Sequence, residues 1–237
     1  MAGRGTYTFA KGGSLECDFA DDRAQGKGVL KLPDGTTYKG AFVDGAMHGR
    51  GVLRANGATY KGAFAANMFH GKGKLTFPSG DTYSGAFAKH AFHGKGVYAW
   101  RSGKRYEGHF KGGRLTGDGV YTWTEGQKYT GAYVNGRREG RGERAPAPPR
   151  RRGAPRRPIP RARARRLAGA YGQHYEGEWE DGEPHGAGVF TSSNSEYVEG
   201  DFHRGRYVDP DKEDASPTSG LGSLFGGGSA SSKHHLP

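Results

Sequence analysis

The chain has a single cysteine, Cys17, in 237 residues, so no disulfide can form within it, and a lone thiol suits an intracellular protein. Long apolar runs are missing as well. Nothing approaches the ~18 apolar residues of a membrane-spanning helix, and the opening MAGRGTYTFAKGG lacks the apolar stretch of a secretory leader. The expectation is a soluble protein, or at most one peripheral to a membrane. Aliphatic side chains are scarce: hydrophobic residues of every kind make up 33% of the chain and aromatics 12%, so any core has to be built mainly from rings. No segment shows the apolar period of an amphipathic helix. Acidic residues are absent from Arg144 to Arg166, which contains ten arginines. That gap locates the net charge of +12. Outside it, 26 basic residues face 24 acidic ones, so the high pI describes one segment and not the fold.

Glycine is in excess, 44 residues of 237, where ~7% is usual, and the excess is periodic. TYKGAFVDGAMHGRGVL begins at Thr37 and TYKGAFAANMFHGKGKL at Thr59. Tyr-x-Gly recurs at Tyr38, Tyr60, Tyr83, Tyr106 and Tyr129, with spacings of 22 or 23 residues. Leu15 takes the tyrosine position in the first copy, and two later copies start at Tyr175 and Tyr197. Four residues after the start stands a ring: Phe19, Phe42, Phe64, Phe87, Phe110, Tyr133 or Trp179. In the last copy Phe202 comes one residue late, which reads as a bulge.

Each copy also has two slots for residues that tolerate a left-handed backbone. Gly12, Gly35, Gly57, Gly80, Gly103, Gly126, Gly172 and Asn194 precede the tyrosine position. Asp22, Gly45, Asn67, His90, Gly113, Gly136, Gly182 and Gly205 follow the ring. The runs between alternate with period two, so each copy predicts a β-hairpin. Its second strand opens with Gly-x-Gly, as at Gly49 and Gly51, with both glycines on the face of the rings. The glycines are read as sockets. Tyr38, Phe42, Tyr60, Phe64, Tyr83, Phe87, Tyr106, Phe110, Tyr129, Tyr133, Tyr175 and Trp179 are expected to lie across them, as core and as a surface for partners. Stacked hairpins would share that core at a rise of roughly 10 Å per repeat.

The pattern Y-x-G-x-[FYW]-x-x-G-x-x-H-G-x-G-x-[LYF] resembles the MORN-repeat family, over residues 12–143 and 171–205. The resemblance implies an all-β fold, an elongated antiparallel β-hairpin solenoid. It also implies roles known in the family: scaffolds in cilia and flagella such as radial spoke heads, membrane-junction proteins, and proteins associated with phosphoinositide membranes. In plant phosphatidylinositol phosphate kinases and in a lysine methyltransferase such arrays precede a kinase or SET domain. The residues that follow the last repeat here are too few for either, so no enzymatic activity is expected. The expected plan is repeats over 1–143, starting near 15, 38, 60, 83, 106 and 129; an Arg/Pro-rich disordered segment or disrupted repeat over 144–170; two further repeats over 171–208; and a low-complexity, disordered tail over 209–237, in which Leu221, Leu224 and Phe225 form a candidate docking motif. From Tyr129 to Tyr175 is 46 residues, two periods, with Arg144 where an apolar residue should face the core. Two readings of that segment stand open: a basic arm for an acidic partner, or a frame shift the length of one repeat.

No nucleophile–base pair, phosphate loop or carboxylate dyad has a recognisable context, so no catalytic residue and no cofactor is expected. His48, His70, His93 and His185 form a row, but repeats ~10 Å apart cannot bring neighbours to one zinc ion at ~2.0–2.1 Å. Lys27, Arg50, Lys72, Lys95 and Arg141, between the paired glycines, and Lys39 and Lys61, after their tyrosines, point away from the rings. This basic stripe either contacts anionic phospholipid headgroups or is a solvated face that keeps the protein soluble. The functional expectation is a non-enzymatic scaffold in an axonemal or cytoskeletal assembly, the alternative a peripheral membrane protein binding phosphoinositides. Partners would be other proteins, an acidic phospholipid surface, or a second copy joined at an edge hairpin; nucleic acid is not expected. Its place would be intracellular: cytoplasm or cytoskeleton, a cilium or flagellum, or peripheral on the plasma membrane.

Overall fold

The computed structural model describes residues 3–145, 173–193 and 196–208. All regular elements among them are strands, and none is a helix: β1 (Gly3–Thr8), β2 (Ser14–Ala20), β3 (Arg23–Lys31), β4 (Thr37–Val43), β5 (Ala46–Ala55), β6 (Ala58–Ala65), β7 (Met68–Thr76), β8 (Thr82–Ala88), β9 (Ala91–Ala99), β10 (Arg105–Lys111), β11 (Arg114–Thr122), β12 (Lys128–Val134), β13 (Arg137–Ala145), β14 (His174–Glu180), β15 (Glu183–Thr191), β16 (Tyr197–His203) and β17 (Arg206–Tyr207). The chain divides inside β11 into two units, 1–116 and 117–235. Within each, the strands pair antiparallel in chain order and the sheet stays open. Most of the Arg/Pro-rich segment (146–172, with the turn at Gly172), the turn at Asn194, and the tail with Leu221, Leu224 and Phe225 lie outside the described residues.

The turns explain why the sequence alternates as it does. After the ring of each first strand two consecutive residues have positive φ, as at Asp44 (48°) and Gly45 (79°), or Ala66 (46°) and Asn67 (67°). That is the mirror-image turn whose twist matches the flanking strands. The second turn residue then donates its N–H to the preceding repeat: Gly45 to the Ala24 carbonyl (2.9 Å), Asn67 to Met47 (3.0 Å), His90 to Phe69 (3.1 Å). Turn stacks on turn, and the repeats are locked in register along this edge.

A ladder of glycines runs through the middle of each unit. In the first unit Gly28 pairs with Gly40, Gly40 with Gly51, Gly51 with Gly62, Gly62 with Gly73, Gly73 with Gly85, Gly85 with Gly96, and Gly96 with Gly108. In the second it joins Gly119, Gly131, Gly142, Gly177, Gly188 and Gly200. Tyr38 lies over this ladder. A Cβ on Gly40 would meet its Oη at 2.3 Å, and one on Gly51 would meet its ring at 2.5 Å. Tyr60, Tyr83, Tyr129 and Tyr175 repeat the arrangement. The hydroxyls are satisfied by the carbonyl three residues on: Tyr38 donates to Ala41 (2.9 Å), Tyr60 to Ala63 (2.8 Å) and Tyr83 to Ala86 (2.8 Å). Magnitudes favour the trade. A ring burying ~150–250 Å² at ~25 cal/mol per Å² gains about 4–6 kcal/mol gross, against ~0.5–1 kcal/mol for a strand glycine.

The two glycines of each Gly-x-Gly do different work, which corrects the expectation that both are sockets. Opposite Gly40 and Ala41 stand Gly51 and His48, so Gly49 and Arg50 are extra residues, a bulge. The same step recurs in the β2–β3, β6–β7, β8–β9, β12–β13 and β14–β15 hairpins. The first glycine supplies the positive φ of the bulge, 61° at Gly49 and 56° at Gly71, and at Gly49, Gly71 and Gly94 the nearest atom to an added Cβ is an alanine Cβ at 3.5 Å. Only the second is a socket.

Candidate interaction surfaces

The twelve rings named as core and partner surface are all buried: Tyr38, Tyr83, Tyr106, Tyr129 and Tyr175 at 0% exposure, and Phe42, Tyr60, Phe64, Phe87, Phe110, Tyr133 and Trp179 at 4% or less. They pack edge to face, Tyr38 on Phe42 (5.2 Å between centroids) and on Phe64 of the next repeat (5.0 Å). They form the interior and offer nothing to a partner, which corrects the second half of that expectation. Burial pushes the phenols of Tyr38, Tyr60 and Tyr175 up to about 12.

A third core position, on the ring face two residues before the first glycine, was not among the candidates. It holds Ala24, Met47, Phe69, Phe92, Leu115, Arg138 and Pro184. Phe69 stacks on Tyr60 (3.8 Å, 12°) and Phe92 on Tyr83 (3.9 Å, 18°). The signal was available, since six of these seven residues are apolar. The exception, Arg138, puts a guanidinium 4.5 Å from the Trp179 ring centroid and 5.6 Å from that of Tyr129, and burial pulls its pKa down. Arg144, expected to break its repeat, lies over Trp123 (5.5 Å). Two cations thus stand in for rings on faces of other rings.

The doubled spacing resolves in the pairing. Strand β13 pairs directly with β14, Gly142 opposite Gly177 and Arg144 opposite Tyr175. The turn residue Gly182 donates to the Arg138 carbonyl (3.0 Å), and the Trp179 indole to Gly142 (3.0 Å). The repeats before and after 146–172 therefore meet as consecutive repeats do. At the far end, Val198, not Tyr197, stands opposite Phe190, and Gly200 opposite Gly188, without a register shift. The last repeat thus begins at Val198 with regular spacing to Phe202, no bulge is needed, and Tyr197 is 68% exposed. At the near end, β1 pairs with β2, Gly5 opposite Cys17.

The outer face, away from the rings, carries the candidate charges. Strands β3 to β9 contain no Asp or Glu. On their outer face Arg23, which meets the turn carboxylate of Asp44 at 3.9 Å, and Lys27, Lys31, Lys39, Arg50, Arg54, Lys61, Lys72, Lys74 and Lys95 are all exposed. Lys39, Arg50 and Lys72, from three strands, converge on a shallow concavity of about 500 Å³ floored by Gly51, Val52 and Gly62. The seventh candidate, Arg141, belongs to the other unit, across the ladder from Glu178. The row histidines His48, His70 and His93 stand on this outer face opposite Ala41, Ala63 and Ala86. Among the described residues no three metal-ligating side chains gather.

The family model of the MORN repeat matches residues 1–14, 18–37, 38–59, 60–82, 83–105, 106–128, 129–144 and 175–197. The first of these stretches contains β1, which the repeat count from Leu15 had left out. No curated protein matches the chain. Among solved structures, virginiamycin B lyase from Staphylococcus aureus aligns over 85% of both chains at 11% identity and a TM-score of 0.17. A catalytically inactive form of that lyase with quinupristin aligns over 84% of both at 13% identity and the same TM-score of 0.17. Superpositions this poor carry no argument.

Proposed function

The chain belongs to the MORN-repeat family, and from that membership we propose that it is a non-enzymatic intracellular scaffold whose outer sheet face holds acidic partners in a cytoskeletal or ciliary assembly. MORN repeats commonly serve as protein- or membrane-interaction modules, and proteins built of them are generally not catalysts. The observation that carries the reading is the face of β3–β9: ten exposed cations, no acid on seven successive strands, and the twelve repeat rings buried in the interior. A face kept charged only for solubility would mix signs. The test is retention of the tagged full chain in a detergent-extracted cytoskeletal fraction. Reversal of Lys27, Arg50, Lys72 and Lys95 to Glu should release it, and retention undiminished by that reversal refutes the assignment.

A second reading rests on the concavity of Lys39, Arg50 and Lys72, which suits an anionic headgroup on a membrane surface. Pelleting with phosphoinositide vesicles, lost on reversal and washed off by salt as the Debye length falls from ~10 Å at 0.1 M to ~3 Å at 1 M, would select it over the scaffold.

A further inference from the structure

The described residues of the first unit hold 18 Lys and Arg against 8 Asp and Glu, a balance of +10, whereas those of the second hold 7 against 12, a balance of −5. The second excess is also on an outer face. Alternation from the buried Tyr175, Trp179 and Phe202 places Glu176, Glu178 and Glu180 of β14 and Glu199 and Asp201 of β16 away from the rings, all exposed, with Glu143 of β13 beside them.

Each face contains a like-charge pair directly across a ladder, Lys61 opposite Lys74 on β6–β7 and Glu143 opposite Glu176 on β13–β14. Such pairs are destabilising, because opposed Cβ atoms stand ~4.5–5.5 Å apart. Among the described residues neither Lys61 nor Lys74 has an ion-pair partner, nor do Glu176, Glu178, Glu199 and Asp201; Glu143 meets only His174, at 3.9 Å.

The spacings correspond as well. Between the glycine columns the cations Lys27, Arg50, Lys72 and Lys95 come on β3, β5, β7 and β9, every second strand. In the equivalent row Glu178 and Asp201 come on β14 and β16, also every second strand. Two sheets with the same ~4.8 Å strand spacing can therefore set Glu178 and Asp201 against two successive cations of the basic row, with Arg141, in the same row on β13, falling between cation-bearing strands.

From this complementarity we infer that the basic outer face of β3–β9 in one copy docks on the acidic outer face of β13–β16 in a second copy of the same chain. The inference rests on the reading of the outer face as the interaction surface and names one acidic partner for it. The contact joins unlike faces, so each copy has one face to give and one to receive.

The test is sedimentation velocity of the full chain over a concentration series at low salt, with two variants. One carries Lys61→Glu, Lys72→Glu and Lys74→Glu; the other carries Glu176→Lys, Glu178→Lys and Glu199→Lys. The unmodified chain should self-associate, and each variant alone should weaken association by at least about tenfold, the equivalent of ~1.4 kcal/mol. An equimolar mixture should regain it, because the first variant keeps the acidic face intact and the second keeps the basic one, so one unlike pair of faces is complete. Circular dichroism of each variant checks its fold. A chain monomeric throughout, or association that neither variant alters, overturns the inference. So does association that appears only once 146–172 is excised, which would assign the acidic face to the chain's own arginines. An unmodified chain that stays monomeric yet pellets with phosphoinositide vesicles or is retained on the cytoskeleton would refute the second copy as partner and leave the proposed function standing.

Discussion

At the scale of single residues, a tyrosine and its two glycines form one unit, and the first repeat shows the rule by departing from it. There Leu15 replaces the tyrosine, and the glycine position carries Cys17, buried at 0% exposure with its thiol pushed up by burial. A Cβ on Gly28 would meet Cys17 Cβ at 2.5 Å, so that side chain fills the space a tyrosine takes elsewhere. Gly62→Ala, whose Cβ would fall 2.5 Å from the Tyr60 hydroxyl and 2.6 Å from Gly73 Cα, should cost ~1–3 kcal/mol in urea unfolding through overpacking. The pair Tyr60→Leu with Gly62→Cys, copying the first repeat, should be more stable than Gly62→Cys alone. Equal stabilities would show that ring and glycine are not coupled. The buried phenols add a pH dependence. Their folded pKa values of about 12 at Tyr38, Tyr60 and Tyr175 exceed the unfolded value of ~10, so their contribution is complete below pH ~10 and is lost as pH rises toward ~12. Tyrosinate absorbance should therefore lag free tyrosine and then rise together with the loss of β circular dichroism. Titration of all thirteen tyrosines near pH ~10 with the fold intact would contradict their burial.

At the scale of the hairpin, turns, strands and tyrosine sockets were legible in the sequence because each depends on local spacing. What was not legible depends on pairing. The bulge at Gly49–Arg50 keeps the alternation of faces, since two residues are inserted and not one, so it leaves no trace in the pattern. Tyr197 attracted the start of the last repeat because it is aromatic, but the ladder aligns Gly200 with Gly188 and so selects Val198. The direct β13–β14 pairing was hidden by the length between them. It predicts that 146–173 can be replaced by the loop that joins β7 to β8, Phe77–Asp81, since Ala145 and His174 then occupy the positions of Thr76 and Thr82. The thermal melt of that variant should match the parent, and loss of β14–β16 protection in hydrogen exchange would contradict the pairing. Arg138→Phe, restoring the ring present at Phe69 and Phe92, should raise stability by about 1 kcal/mol, because a desolvated cation gives way to a stacked ring. A lower melting temperature would show that the guanidinium over Trp179 is worth more than a ring.

At the scale of the molecule, the division of labour is between faces. Rings and bare glycines hold the sheet from one side and leave the other to charged side chains. The sign of that charge is uniform over β3–β9, and the proposed function rests on that face. The most direct measurement compares the parent chain with the variant Lys27→Glu, Arg50→Glu, Lys72→Glu and Lys95→Glu, matched by circular dichroism, for retention on extracted cytoskeleton and on phosphoinositide vesicles. Binding lost from the variant while its fold and melting temperature persist is the predicted result. A folded variant that binds as the parent does would contradict the account.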